Sequence, residues 1–169
     1  MSSCKGQLYS TDLVFAVVAF LVVLLTFLTL WQSGVTRISY FEAERWREEA
    51  TRFAAEQLVE TPGYPTHWEQ IANITDTNVR SIGLAGERNV ISPAKLQRFL
   101  SFQGQSEYEL VKRILGVSRY EMGVVVENLD GDEIAGYKNT PPTNQSVSSV
   151  SRLAIYNGSI VVVRVYVWE

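Results

Sequence analysis

One carboxylate stands alone at the lip of a long apolar run. Asp12 is followed by Leu13 to Trp31, 19 residues without a single charge. A carboxylate in hydrocarbon costs about 3 kcal/mol at the bilayer centre and less near the interface, so Asp12 requires a physical account. Ser10, Thr11 and Asp12 are all good N-cap residues, and a negative charge suits the positive end of a helix dipole. Capping is therefore one reading of this group. Chemistry elsewhere is sparse. His67 is the only histidine and Cys4 the only cysteine, which excludes an intrachain disulfide and a Cys-based metal site. The chain has no Gly-rich phosphate loop and no Gly-x-Ser-x-Gly. Asp130, Asp132 and Glu133 cluster around a turn, but their spacing lacks the calcium-loop pattern, and a solvated hairpin turn accounts for them. His67 reads as a surface or turn residue. The expectation is a protein with no catalytic residue, no metal and no cofactor.

The element that carries Asp12 dominates the chain. Of the residues from Leu13 to Trp31, 14 are Leu, Val or Phe. As a helix the run is about 29 Å long, close to the hydrocarbon thickness. Those side chains favour insertion by about 6 kcal/mol. Only Thr26 and Thr29 are polar, and both can bond back to their own helix. A secretory signal peptide has a shorter core and a small-residue cleavage site. This run instead continues into Trp31-Gln32-Ser33-Gly34-Val35. Flanking charge sets orientation poorly, with Lys5 on one side and Arg37 and Arg45 on the other. Residues 32–169 hold 14 basic and 17 acidic side chains, so no basic patch exists for nucleic acid.

Lys5-Gly6-Gln7, placed directly before this helix, resembles the class III signal peptide of archaeal type IV pilin-like proteins. The resemblance implies a cut between Gly6 and Gln7 by a prepilin peptidase on the cytoplasmic side. The apolar helix then stays on the mature chain, with Thr11 as its fifth residue and Asp12 as its sixth. Bacterial type IV pilins carry Glu at the fifth position, so this chain departs by one place and one methylene. The implied role of Asp12 is to set axial register in an assembly, where the new Gln7 amine of one subunit neutralises Asp12 of a neighbour. The further implied partners are an assembly ATPase, a membrane platform, other pilin subunits, and lipid before assembly. The implied location is N-terminus inside and head outside, then a surface filament. The implied protein is a structural subunit, a minor pilin or pseudopilin. The alternative is a non-polymerising single-pass anchor for an extracellular binding head.

Past the membrane, residues 32–60 stay helical but become amphipathic. Glu48 and Arg52 have the favourable i,i+4 order, and Ile38, Phe41, Ala50, Phe53, Ala54 and Leu58 fall roughly on one side. Gly34 at the junction is a place for a bend. Thr61-Pro62-Gly63-Tyr64-Pro65 ends the helix. Gly63-Tyr64-Pro65-Thr66-His67-Trp68 resembles a Gly-x-Pro-x-x-Trp turn of many archaeal pilin-like proteins, with Trp68 as a core plug. Ile82-Gly83-Leu84-Ala85 and Lys95-Leu96 are similar to that group as well.

Two short helices follow. One starts at Ser92-Pro93 and runs to Leu100, and one is introduced by a Ser106–Glu109 capping box and stopped by Gly116. The remainder reads as strands: Glu121 to Asn128, a polar loop from Pro141 to Ser149, then Arg152 to Tyr156 and Ser159 to Trp168 around an Asn157-Gly158 hairpin turn. In the last strand Val161, Val163, Val165 and Val167 form one face, expected to be buried. Asn73, Asn144 and Asn157 head N-glycosylation sequons. The expected fold is α+β, with a long N-terminal helix, half transmembrane and half amphipathic, packed against a C-terminal antiparallel β-sheet with two short helices. The expected divisions are a 1–6 leader, a 7–31 transmembrane or filament-core helix, a 32–60 amphipathic extension and a 61–169 extracellular head.

Overall fold

The computed structural model describes the backbone of residues 5–102, 104–138 and 141–169, and the side chains of those outside 5–10 and 33–41. The first four residues of the expected leader therefore lie outside the described residues. Helix α1 spans Lys5–Glu60, and its backbone remains helical at Gly34. By internal contacts the chain divides into Met1–Glu44 and Arg45–Glu169. The first unit holds the apolar stretch of α1 and the turns that follow it as far as Glu44. The second comprises the last turns of α1 and everything after them.

In the second unit α1 is followed by β1 (Gly63–Tyr64), a 3-10 turn (Trp68–Gln70), β2 (Ser81–Ile82), β3 (Ala85–Glu87) and β4 (Val90–Ile91). Then come α2 (Pro93–Leu100), α3 (Gln105–Ile114), β5 (Glu121–Glu127), β6 (Glu133–Tyr137), β7 (Val147–Tyr156) and β8 (Ser159–Trp168). Strands β1 and β2 form a small ribbon, and the main six-stranded sheet has the order β3-β4-β7-β8-β5-β6. All its pairings are antiparallel except β4 with β7. The architecture is α+β, with the C-terminal part of the long N-terminal helix and the short helices on one face of a mostly antiparallel sheet.

Alternation along β8 makes that sheet one-sided. Val161, Val163, Val165 and Val167 are all at most 1% exposed, as the two-residue period requires. They meet Ala54, Ala55, Leu58 and Val59 of α1 in the core, together with Leu96 and Phe99 of α2 and Tyr108 and Val111 of α3. Phe99 and Tyr137 stack with ring centroids 4.3 Å apart. Three sequence expectations change here. Phe53 is 59% exposed, because the buried face of α1 turns through Arg47, Thr51, Ala54, Ala55 and Leu58 instead. Arg52 pairs with Glu56 at 3.0 Å rather than with Glu48, since Glu56 also receives Arg152 of β7 at 2.9 Å. Strand β7 begins at Val147, inside the expected polar loop, because β8 runs on to Trp168 and Val147 is its register partner.

Capping chemistry also shifts by two residues. The α3 helix is capped at Gly104, whose N–H donates to Glu107 Oε2 at 3.2 Å, not at Ser106. Glu109 is taken by Lys112 at 3.0 Å and by Gln105 at 3.2 Å, so it cannot serve a box. The other helix stops and turns fall as read: α2 starts at Pro93 and ends at Leu100, and Gly116 terminates α3 at φ +76°. Asn157 and Gly158 at φ 50° and 81° join β7 to β8 in the type I′ manner.

One buried charge ties α3 to the start of β5. Lys112 is 3% exposed, and its ammonium lies 3.0 Å from both Glu109 and Glu121. Tyr108 donates to Glu121 Oε2 at 2.8 Å and accepts from the Met122 N–H at 2.8 Å. Partial burial acts to raise the Glu121 carboxyl, but hydrogen bonds from Lys112 and Tyr108 outweigh it and hold its pKa below the ordinary value. A depressed carboxyl adds stability that is present above its unfolded pKa, near 4.3, and is lost as pH falls through the lower folded value. Urea midpoints measured between pH 6 and pH 2.5 should fall on the acid side, and Glu121→Gln should flatten that fall. Parallel curves for parent and variant would refute the assignment.

Candidate functional site

The site that distinguishes this molecule is the apolar segment of α1. Thr11–Gln32 forms a 22-residue stretch of mean hydropathy 3.0, none of it buried. Phe15, Phe20, Leu25, Leu30 and Trp31 are each at least 60% exposed. An apolar surface of this extent needs a non-aqueous environment or a covering partner. Its few polar groups are handled internally, as the sequence suggested. Thr26 Oγ1 donates to the carbonyls of Val22 and Val23 at 3.0 and 2.8 Å, and Thr29 Oγ1 to that of Thr26 at 2.8 Å. Phe27 and Trp31 rings approach to 6.1 Å at the far end. A single helix of this length and composition is a signal sequence or a single membrane anchor.

Asp12 is exposed at the N-terminal end of that stretch. The capping reading does not survive, because α1 already begins at Lys5 and Asp12 lies two turns inside the helix. Its carboxylate is the single charge within the apolar stretch Thr11–Gln32, at the N-terminal end of it. Thr11 precedes it and is likewise exposed. The backbones of Gly6 and Gln7 are helical, and their surroundings lie outside the described residues.

The remaining candidates are scattered over the head. Asn73 is exposed in the loop before β2, where its carbonyl accepts from Asn78 Nδ2 at 2.9 Å. Asn144 is exposed in the turn before β7, and Asn157 is exposed in the β7–β8 turn. Asp132 is consumed by its own hairpin, exchanging bonds with Asn128 at 2.7 and 3.0 Å. Among the described residues no group of three His, Cys, Asp or Glu is placed to hold a metal. His67 stands at the surface, 3.5 Å from Glu69.

The turn around Trp68 is a packing device. Trp68 is 0% exposed, and its Nε1 donates to the Gly83 carbonyl at 2.9 Å. Gly63 sits at φ +79° with the Trp68 ring 2.7 Å from where a Cβ would be, and a Cβ on Gly83 would run into the Thr61 carbonyl. The two glycines thus permit the close approach of three segments. Lys95, 4% exposed, clips them by donating to the Pro62 and Ala85 carbonyls at 2.7 and 2.9 Å.

Sequence reasoning passed over Trp46, which is 66% exposed on the head portion of α1, with Phe53 seven residues on. The signal was present in their spacing. No protein-family model, curated protein or solved structure matches the chain.

Proposed function

We propose that this chain is a non-catalytic structural subunit, a minor pilin or pseudopilin, of an archaeal type IV pilus-like surface filament. The observation that carries this reading is a 22-residue apolar stretch with no burial on the same helix whose last turns supply Ala54, Leu58 and Val59 to the head core. One element serves as both anchor and scaffold. That economy suits a subunit whose helix trades lipid neighbours for the helices of other subunits, because packing among apolar helices replaces lipid contacts at little cost. Lys5-Gly6-Gln7 supports cleavage after Gly6 by a prepilin peptidase, and Asp12 supports pairing with the Gln7 amine of an adjacent subunit. Before assembly the chain spans the membrane once, N-terminus inside and head outside. A membrane platform and an assembly ATPase would then extract it into a polymer with like or related subunits.

N-terminal sequencing of the protein from native membranes, with sedimentation of sheared surface fibres, tests the proposal. The expected result is a mature chain that begins at Gln7 and is present in the fibre fraction. An intact leader on a protein that never enters the fibre fraction would overturn it and favour the alternative, a monomeric anchored binding head.

A further inference from the structure

The main sheet has one long edge that the fold leaves open. Strand β7 pairs with β8 along its whole length, from Val147↔Trp168 to Tyr156↔Ser159, whereas on its other side β4 reaches it only at Ile155. The Ile155 N–H donates away from β8, to the Asn89 carbonyl at 2.8 Å. Backbone groups alternate sides along an antiparallel strand, so those of Val147, Ser149, Ser151 and Leu153 also point away from β8. Among the described residues no strand receives them. Of these groups the Ser151 carbonyl alone is touched, by Arg152 Nη1 at 3.4 Å. All four residues are exposed.

Natural sheets blunt such edges with short strands, bulges, prolines or charges. The outermost strands here do so: β3 has three residues and a register shift, and β6 has five and a register shift at its start. Val147 to Leu153 has no proline and no register break. Its one charge, Arg152, is held by Glu56 at 2.9 Å.

We infer that this edge pairs with the same edge of a second copy, antiparallel and centred on Val150. The occupant is named by the edge itself, which is self-complementary. Centring on Val150 sets Val147 of each copy opposite Leu153 of the other, and Ser149 opposite Ser151. Val147 and Leu153, 37% and 63% exposed, then cover each other on the solvent face, with the serine hydroxyls meeting between them. Every outward N–H from Val147 to Leu153 finds a carbonyl. Centring on Ser149 would set Val147 against Ser151. Centring on Ser151 would drive Val147 onto Ile155, whose N–H is already taken. The contact is isologous, with its two-fold axis normal to the sheet. The last turns of α1 in the two copies therefore run in opposite directions. Neighbours of one polarity in a filament do not meet in this way, so the contact is independent of the function proposed above.

The full-length chain in dodecyl maltoside micelles, in a Cys4→Ser background, provides the test. Directly opposed residues of this kind have Cα atoms about 5.5 Å apart, within disulfide reach. Val147→Cys and Leu153→Cys, both at exposed sites, are oxidised mildly with copper phenanthroline, separately and as a mixture. The mixture should give about fivefold more cross-linked dimer than either variant alone, because only mixed pairs set two thiols opposite each other. Val150→Cys, on the two-fold axis, should cross-link to itself. Equal yields from the mixture and the separate variants would overturn the pairing, as would the absence of cross-linked dimer from all three. Fibres that begin at Gln7, together with no cross-link, would keep the filament reading and remove this contact. The reverse result would keep the contact and remove the filament.

Discussion

Asp12→Ala is expected to insert into membranes as the parent chain does and to yield no sedimenting fibre. Insertion is driven by the apolar side chains of Thr11–Gln32, and removing a carboxylate from the edge of that stretch can only ease it. Assembly is different. Asp12 lies two turns inside α1 and caps nothing, so the helix does not depend on it for a start. In the proposed polymer its carboxylate faces the Gln7 amine of a neighbour, away from water. Deleting one member of a buried ion pair leaves the other charge uncompensated, at a cost of about 3–5 kcal/mol. That cost recurs at every subunit and corresponds to a loss of roughly a hundredfold or more in each addition step. Membrane fractionation and fibre sedimentation of the variant read the two effects separately. Fibres at parental yield would end the idea that Asp12 sets register.

The second large effect belongs to the head. Trp68→Ala should destabilise it by about 4 kcal/mol, in the range for emptying a fully buried aromatic site. The indole is wholly buried, contacts Phe102 with ring centroids 6.2 Å apart, and satisfies the Gly83 carbonyl. Its removal leaves a cavity and a buried acceptor without its donor, which adds to the penalty. A Cβ at either neighbouring Gly63 or Gly83 would meet backbone within 3 Å, so the segments around the indole are already in close contact and have little room to collapse. Pulse proteolysis of the full-length chain across a urea series gives the change directly. A loss under 1 kcal/mol would show that the turn is peripheral to the fold.

What could be read in advance follows from how local each signal is. The apolar run, the Pro93 helix start, the Gly116 stop, the Asn157-Gly158 hairpin and the valine face of β8 are written in adjacent residues, and all of them appear in the structure. Phe53 departs from the expected face because helical spacing alone does not say which of two adjacent stripes meets the sheet. The buried stripe also runs through Arg47 and Thr51, polar residues that a hydrophobic pattern overlooks. Residues 147–149, with two serines, carry a loop's composition and fall at the end of the expected polar loop. Pairing with β8 holds them in the ladder regardless of side chain. The parallel β4–β7 contact and the short strands β1 to β4 depend on partners far along the chain, which no local pattern announces. For the candidate site, composition revealed the apolar stretch and the isolated carboxylate. The exposure of Trp46 and Phe53 on the head portion of α1 is visible only in the structure.

The helix that leaves the apolar stretch ends as the plug of the head, held there by Ala54, Leu58 and the Arg152–Glu56 tie. A soluble fragment cut at the first proline, residue 62, would lose one wall of its own interior, so useful truncations must begin upstream of Arg47. Within the head, withdrawing these turns would bare the valine face of β8 and part the core, so the head's own folding is tied to the segment of α1 that precedes the first proline.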